Sequence, residues 1–162
     1  MAIKALPTVS NVLYLQDLVP GIAALEGDCA KEELAYVIVR QGTESDSIAI
    51  ERMSSERQIV WTDKDVREVR DSRMREQWAM QVFRCMCDAG NITGQDDKAV
   101  FEFSGGAIHE RFVDGTFGDF LKAYGALNPI VTRALRYAVW EMNPDWDLRT
   151  PEEGLEGEQA NS

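Results

Sequence analysis

The chain has 162 residues, 44% of them hydrophobic and 28% charged, and a formal net charge of −11 at pH 7. These are the proportions of one globular domain with a core of its own, and they exclude a wholly disordered polypeptide. The acidic balance repels a phosphate backbone with no basic stripe to offset it, which argues against nucleic acid, and no run approaches the ~18–20 apolar residues that span a bilayer.

The opening MAIKALPTVSNVLYLQDLVPGIAAL is interrupted by Gln16, Asp17 and Pro20, so it lacks the uninterrupted apolar core of a signal peptide. VLYLQDLV alternates weakly, Pro20-Gly21 marks a turn, and GIAALEGDCAKEEL suits a short helix. LAYVIVRQG (34–42) then gathers β-branched and aromatic residues. SIAIERM (47–53) alternates imperfectly, and the polar GTESD lies between the two, so the pattern predicts a β-hairpin over 34–53.

Thr62 and Asp63 are placed to cap a long helix over 64–89. Its first half is charged, with Arg67 to Arg75 interleaved with Glu68 and Asp71, and reads as a solvated face. Its second half sets Trp78, Val82, Cys85 and Ala89 beside Ala79, Phe83 and Met86, a wide apolar face. Gly90-Asn91 suits a helix end, NITGQDDK a loop, and AVFEF a short strand that Gly105-Gly106 breaks.

Thr116 and Asp119 form a capping-box pattern ahead of Phe117, Phe120, Leu121, Tyr124 and Leu127 at helical spacing. Asn128-Pro129 starts a second helix with Val131, Leu135, Ala138 and Met142 on one face, and Asn143-Pro144 stops it. RTPEEGLEGEQANS carries four glutamates and one large apolar residue. The expected organisation is a single α+β domain over 1–148, with an N-terminal β-hairpin region, a long central helix and a C-terminal helical hairpin. A flexible, disordered acidic tail over 149–162 completes it.

No catalytic residue, cofactor or metal is expected. Cys85 and Cys87 are one residue apart; on an ideal helix their sulfurs point about 200° apart, whereas a zinc or redox pair uses C-x-x-C. Cys29 and the only histidine, His109, are remote in sequence, so the pair reads as small packing residues. Three cysteines with two nearly adjacent give no disulfide framework, and the expected compartment is a reducing cytoplasm. Counted from Asp88 as an EF-hand, the DAGNITGQDD loop puts Gly90, Ile92 and Ala99 where oxygen ligands belong, so the pattern fails. Asn91-Ile92-Thr93 is a glycosylation acceptor in form only. His109 beside Glu110 reads as a surface histidine, and no G-x-S-x-G, P-loop or G-x-G-x-x-G is present.

The segment YAVWEMNPDWDL is more informative. Tyr137, Trp140, Met142 and Trp146 place amphipathic surface near a helix end, and Trp140 falls off the Val131–Leu135–Ala138–Met142 face. Tyr and Trp are enriched at binding hot spots, so these four are the candidate protein-binding residues. The competing reading is a terminal helix docked on the core.

Over residues 34–144 the order of elements resembles the tail assembly chaperones of long-tailed bacteriophages. The matching stretches are AYVIVRQG and SIAIERM as strands and VREVRDSRMREQWAMQVFRCMCDAGN as the long helix. GQDDKAVFEF matches as polar turn and strand, and FGDFLKAYGALNPIVTRALRYAVWEMNP as the closing helices. The chain departs from that pattern in its long N-terminal lead and in SGGAIHERFVDG. The resemblance implies a non-enzymatic protein that keeps the tape-measure protein, or tail-tube subunits, soluble in the host cytoplasm until assembly. The alternative is a structural component of the virion, a head–tail connector or tail-tip protein. Its implied partners are other tail proteins, with no nucleic acid and no membrane, and self-association into a homo-oligomer stays open.

Overall fold

The computed structural model describes the backbone of residues 10–55, 65–105 and 113–147, and the side chains of all of these but 54–73. Strand β1 (Ser10–Tyr14) runs without a loop into α1 (Leu15–Leu18), and Pro20 turns the chain into α2 (Gly21–Glu26). A 3-10 turn at Lys31–Glu33 leads to β2 (Tyr36–Arg40), α3 (Glu44–Ser55) and α4 (Asp65–Cys85). Then follow β3 (Met86–Gly90), α5 (Phe117–Gly125), α6 (Pro129–Met142) and a 3-10 turn at Pro144–Trp146. The described chain is thus mixed α and β.

The three strands form one antiparallel sheet in the order β1-β2-β3. Its central strand YVIVR buries three β-branched residues in a row. Val37 and Val39 join the main core, while alternation puts Ile38, also buried, on the opposite face. Helix α6 packs against β2, α1 and α4, and the core between them holds Leu15, Ile22, Val82, Met86, Phe120, Leu135 and Val139. Phe120 is a hub, with Phe83, Phe101, Phe117 and Tyr124 around it at ring separations of 5.2 to 6.4 Å.

The predicted hairpin over 34–53 is not formed. Its first arm is β2, but residues 47–53 lie inside α3. Thr43 caps that helix: its amide donates to Asp46 Oδ2 at 2.7 Å and its Oγ1 accepts from the Asp46 amide at 3.4 Å, a capping box. Buried Asp46 and Ile50 and half-buried Met53 then recur at helical spacing, while Ile48, which made the segment look alternating, is exposed. The partners of β2 come instead from β1 and β3.

The long helix also ends earlier than the apolar pattern suggests. It stops at Cys85, and Met86–Gly90 pairs with β2, because a strand there fills the open edge of the sheet while keeping Met86 and Cys87 buried. Asn91 does adopt the left-handed conformation (φ 62°), but it ends a strand and not a helix. Since Ile38 pairs with Asp88 and Val39 with Met86, Cys87 is the extra residue of a β-bulge. AVFEF forms no strand, only isolated bridges at Thr93–Ala99 and Phe103–Val113.

The C-terminal helical hairpin is present as α5 and α6. Thr116 and Asp119 make the capping box, and the Asn128 side chain caps α6 with Pro129 at its first position. Thr62, Asp63, His109 and the acidic segment 149–162 lie outside the described residues.

One charged group ties three elements together. Asp46 is 1% exposed, and Arg40 Nη1 (2.9 Å) and Arg84 Nε (2.7 Å) bond its two oxygens. Burial alone would raise its pKa. The hydrogen bonds from Arg40, Thr43 and Arg84 and the charge of Arg40 outweigh burial and hold the carboxyl below its usual value. A carboxyl depressed in the folded state contributes stability that is complete above its ordinary pKa and is lost as pH falls through the lowered one. The unfolding midpoint of the wild type should therefore drop more steeply as pH falls below about 4 than that of Asp46→Asn. At neutral pH that variant should be less stable by about 3–5 kcal/mol, measured by denaturant titration, because two arginines lose their counter-charge.

Candidate binding cleft

Of the four candidate protein-binding residues, Trp140 is buried, while Tyr137, Met142 and Trp146 are half-buried and packed against the core. Trp140 is 7% exposed; its Nε1 donates to Gln81 Oε1 at 2.8 Å, and its ring meets Trp78 and Tyr137, each with centroids 5.7 Å away. Gln81 Nε2 in turn donates to the Trp146 carbonyl at 2.9 Å. The Trp146 ring lies on Gly42, where an added Cβ would come within 2.2 Å of it. Asn143 Oδ1 accepts from the Gly42 amide at 2.7 Å, and its Nδ2 donates to the carbonyls of Val139 (3.1 Å) and Arg40 (3.3 Å). Met142 Sδ accepts from Asn11 Nδ2 at 3.5 Å, and Tyr137 and Met142 pack against the core.

Trp140 does leave the Val131–Leu135–Ala138–Met142 face, but α6 is enclosed on more than one side, so leaving that face does not mean reaching solvent. Replacing Trp140 with Ala should cost about 3–5 kcal/mol in chemical denaturation, since it removes a buried aromatic and strands the Gln81 carbonyl oxygen.

Cys85 closes α4 and Cys87 lies in the bulge of β3, so the helical-wheel geometry expected of them does not apply. Both are 0% exposed free thiols, and the Cys87 thiol donates to the Cys85 carbonyl at 3.6 Å. Burial pushes the Cys85 thiol up to about 12 and raises that of Cys87, which leaves both protonated and unreactive. Among the described residues no group of three His, Cys, Asp or Glu side chains is placed to hold a metal ion. In native protein at pH 8, iodoacetamide should leave Cys85 and Cys87 unmodified by mass spectrometry, and denaturant should expose both.

A concave surface lies elsewhere, at the junction of the N-terminal helices with the helical hairpin. It is a cleft of about 1000 Å³. One wall is Leu15 of α1 with Ile22, Leu25 and Glu26 of α2, continued by Cys29, Glu33 and Ala35. The opposite wall is Ala123, Ala126, Leu127, Asn128 and Val131 at the α5–α6 junction, and the loop from Asn91 to Gln95 with Val100 closes one side.

Each part is fixed locally. Asn91 Nδ2 donates to the carbonyls of Glu32 and Leu34, both at 3.0 Å, which pins the loop to the segment before β2. The Val100 amide donates to the Ile92 carbonyl at 3.0 Å, and the Asn128 side chain accepts from the Ile130 amide at 3.0 Å. Glu26 Oε2 accepts from the Ala35 amide at 2.7 Å. Leu25 is 52% exposed, a large apolar side chain presented to solvent on a lining helix.

The cleft is lined by no histidine, lysine or arginine among the described residues. Its only thiol, Cys29, has its pKa raised by burial and then by Glu26, Glu33 and Asp28, the opposite of what an activated nucleophile needs. The cleft has no local signature in the sequence, since four separated segments build it. The partial signals are Ile22 and Leu25 on one short helix, and Leu127 beside the tight Asn128-Pro129 junction. Comparison of the chain with protein-family models, curated proteins and solved structures returns no match. Among the described residues no helix is long and apolar enough to cross a membrane.

Proposed function

We propose that the chain is a non-enzymatic adaptor of the tail assembly chaperone kind, which shields an apolar segment of a tape-measure or tail-tube protein until assembly. The observation that carries this reading is the cleft between α2 and the α5–α6 junction, with its apolar walls and the exposed Leu25. Concave apolar surface with a few positioned polar groups is the usual form of a binding site, and Leu25 adds exposed apolar area to it. The net charge of −11 suits the role, because like-charge repulsion keeps an unloaded apolar binder dispersed. The element order supports it in part: a long helix and a closing helical pair follow the first matched strand, while the stretch matched to the second strand is α3 and AVFEF forms no strand.

The test is co-expression with a tape-measure protein of a long-tailed bacteriophage, reading the soluble fraction of that protein. The wild-type chain should raise it, and Leu25→Asp should abolish the gain while leaving the circular-dichroism spectrum unchanged. Equal protection by Leu25→Asp overturns the assignment to this cleft. Mass spectrometry of purified particles separates a chaperone, which is absent, from a structural component, which is present at fixed copy number.

A further inference from the structure

The cleft is apolar in its walls but not neutral. Of the residues that line it, Glu26 and Glu33 are the only charged ones, and no lysine or arginine is among them. Glu26 is held in a defined place by the bond from the Ala35 amide to Oε2. Its other oxygen, Oε1, is shielded from solvent and has no hydrogen-bond partner among the described residues. A carboxylate with one oxygen lacking a donor is under-compensated, and a cation in the cleft offsets its charge. The Cys29 thiol reports the same negative field: after burial, the groups that raise its pKa are Glu26, Glu33 and Asp28.

An apolar cleft with a positioned acid and no base discriminates between segments of equal hydrophobicity. A segment carrying a carboxylate is repelled. A neutral one leaves Glu26 uncompensated, and one with an ammonium or guanidinium on its apolar face completes the site. Resting on the reading of the cleft as protein-binding, we infer that its occupant is an apolar segment bearing a lysine or arginine, whose charge sits between Glu26 and Glu33. The positive charge comes from the partner, because the cleft supplies none.

Three fluorescein-labelled amphipathic helical peptides test this, identical in their leucine face but carrying lysine, norleucine or glutamate at one central position of it. Binding to the full-length chain is read by fluorescence anisotropy. The lysine peptide should bind at least about tenfold more tightly than the norleucine peptide, the glutamate peptide should be weakest, and the spread should narrow as salt is added. Glu26→Gln keeps an acceptor for the Ala35 amide, so it should retain the norleucine peptide and lose most of the preference for lysine. Glu33→Gln, which disturbs no hydrogen bond described here, should reduce the preference in the same direction. Equal binding of the three peptides by the wild type, or a lysine preference that survives both substitutions together, overturns the inference and leaves the cleft a binding site. Failure of all three peptides to bind removes the protein-binding reading itself, and the inference with it.

Discussion

Asp46 carries its charge where water does not reach it, and the residues around it are arranged to accommodate that charge. Arg40 reaches it from the end of β2, Arg84 from the last turn of α4, and Thr43 from the N-cap of α3. Arg40 also donates through Nη2 to the Arg84 carbonyl at 2.7 Å, so one cation is bonded to the other's backbone as well as to the acid. Buried pairs of this kind add little net stability over an apolar replacement, but one missing partner leaves a stranded charge. Their effect is to make one arrangement of three elements far better than its neighbours. Arg84 directly precedes Cys85, so the same bonds hold the point at which α4 becomes β3.

The corner built on Asp46 extends to the end of the chain's described part. The backbone that supplies Arg40 also supplies Gly42, and Asn143 clasps both. Trp146 lies over Gly42, and Gln81 links its carbonyl to the Trp140 indole. The two ends of α6 therefore have different tasks. Its C-terminal end is locked into this corner by aromatic and polar contacts, while its first turn, at Asn128 and Val131, forms part of the cleft wall. A wall carried on a helix anchored at its far end keeps its shape when nothing is bound, and such preorganisation favours binding.

Most features satisfied within four residues were legible in the sequence, the Thr43–Asp46 box being the exception. The Thr116–Asp119 box, the Asn128-Pro129 start and the Asn143-Pro144 stop all stand where their side chains require. What could not be read depends on distant partners. Residues 47–53 alternate well enough to look like a strand, and only the Thr43–Asp46 box and the arginines that meet it decide for a helix. Met86 to Gly90 continues an apolar helical pattern, and the open edge of β2, about fifty residues earlier, draws it into the sheet. A helical wheel with one buried face turns Trp140 toward solvent, whereas α6 is packed against β2 and the helices α1, α2 and α4, which enclose it there as well. The cleft was invisible for the same reason: its acids and its apolar residues are ordinary in their local contexts and acquire meaning only when α2 meets the α5–α6 junction.

Two junctions in the fold have no connecting residues at all: Tyr14 to Leu15, where β1 becomes α1, and Cys85 to Met86, where α4 becomes β3. A strand reverses its faces with every residue and a helix turns by about 100° with every residue, so a one-residue insertion at either point would put core positions into solvent on one side of the junction. Length is thus constrained at these two places in a way that composition is not. The exposed turn from Gly94 to Lys98 carries no such phase relation. In a lineage of such proteins, insertions and deletions should accumulate there, while the spacings from Ser10 to Leu18 and from Gln77 to Gly90 stay constant even as the residues that fill them change.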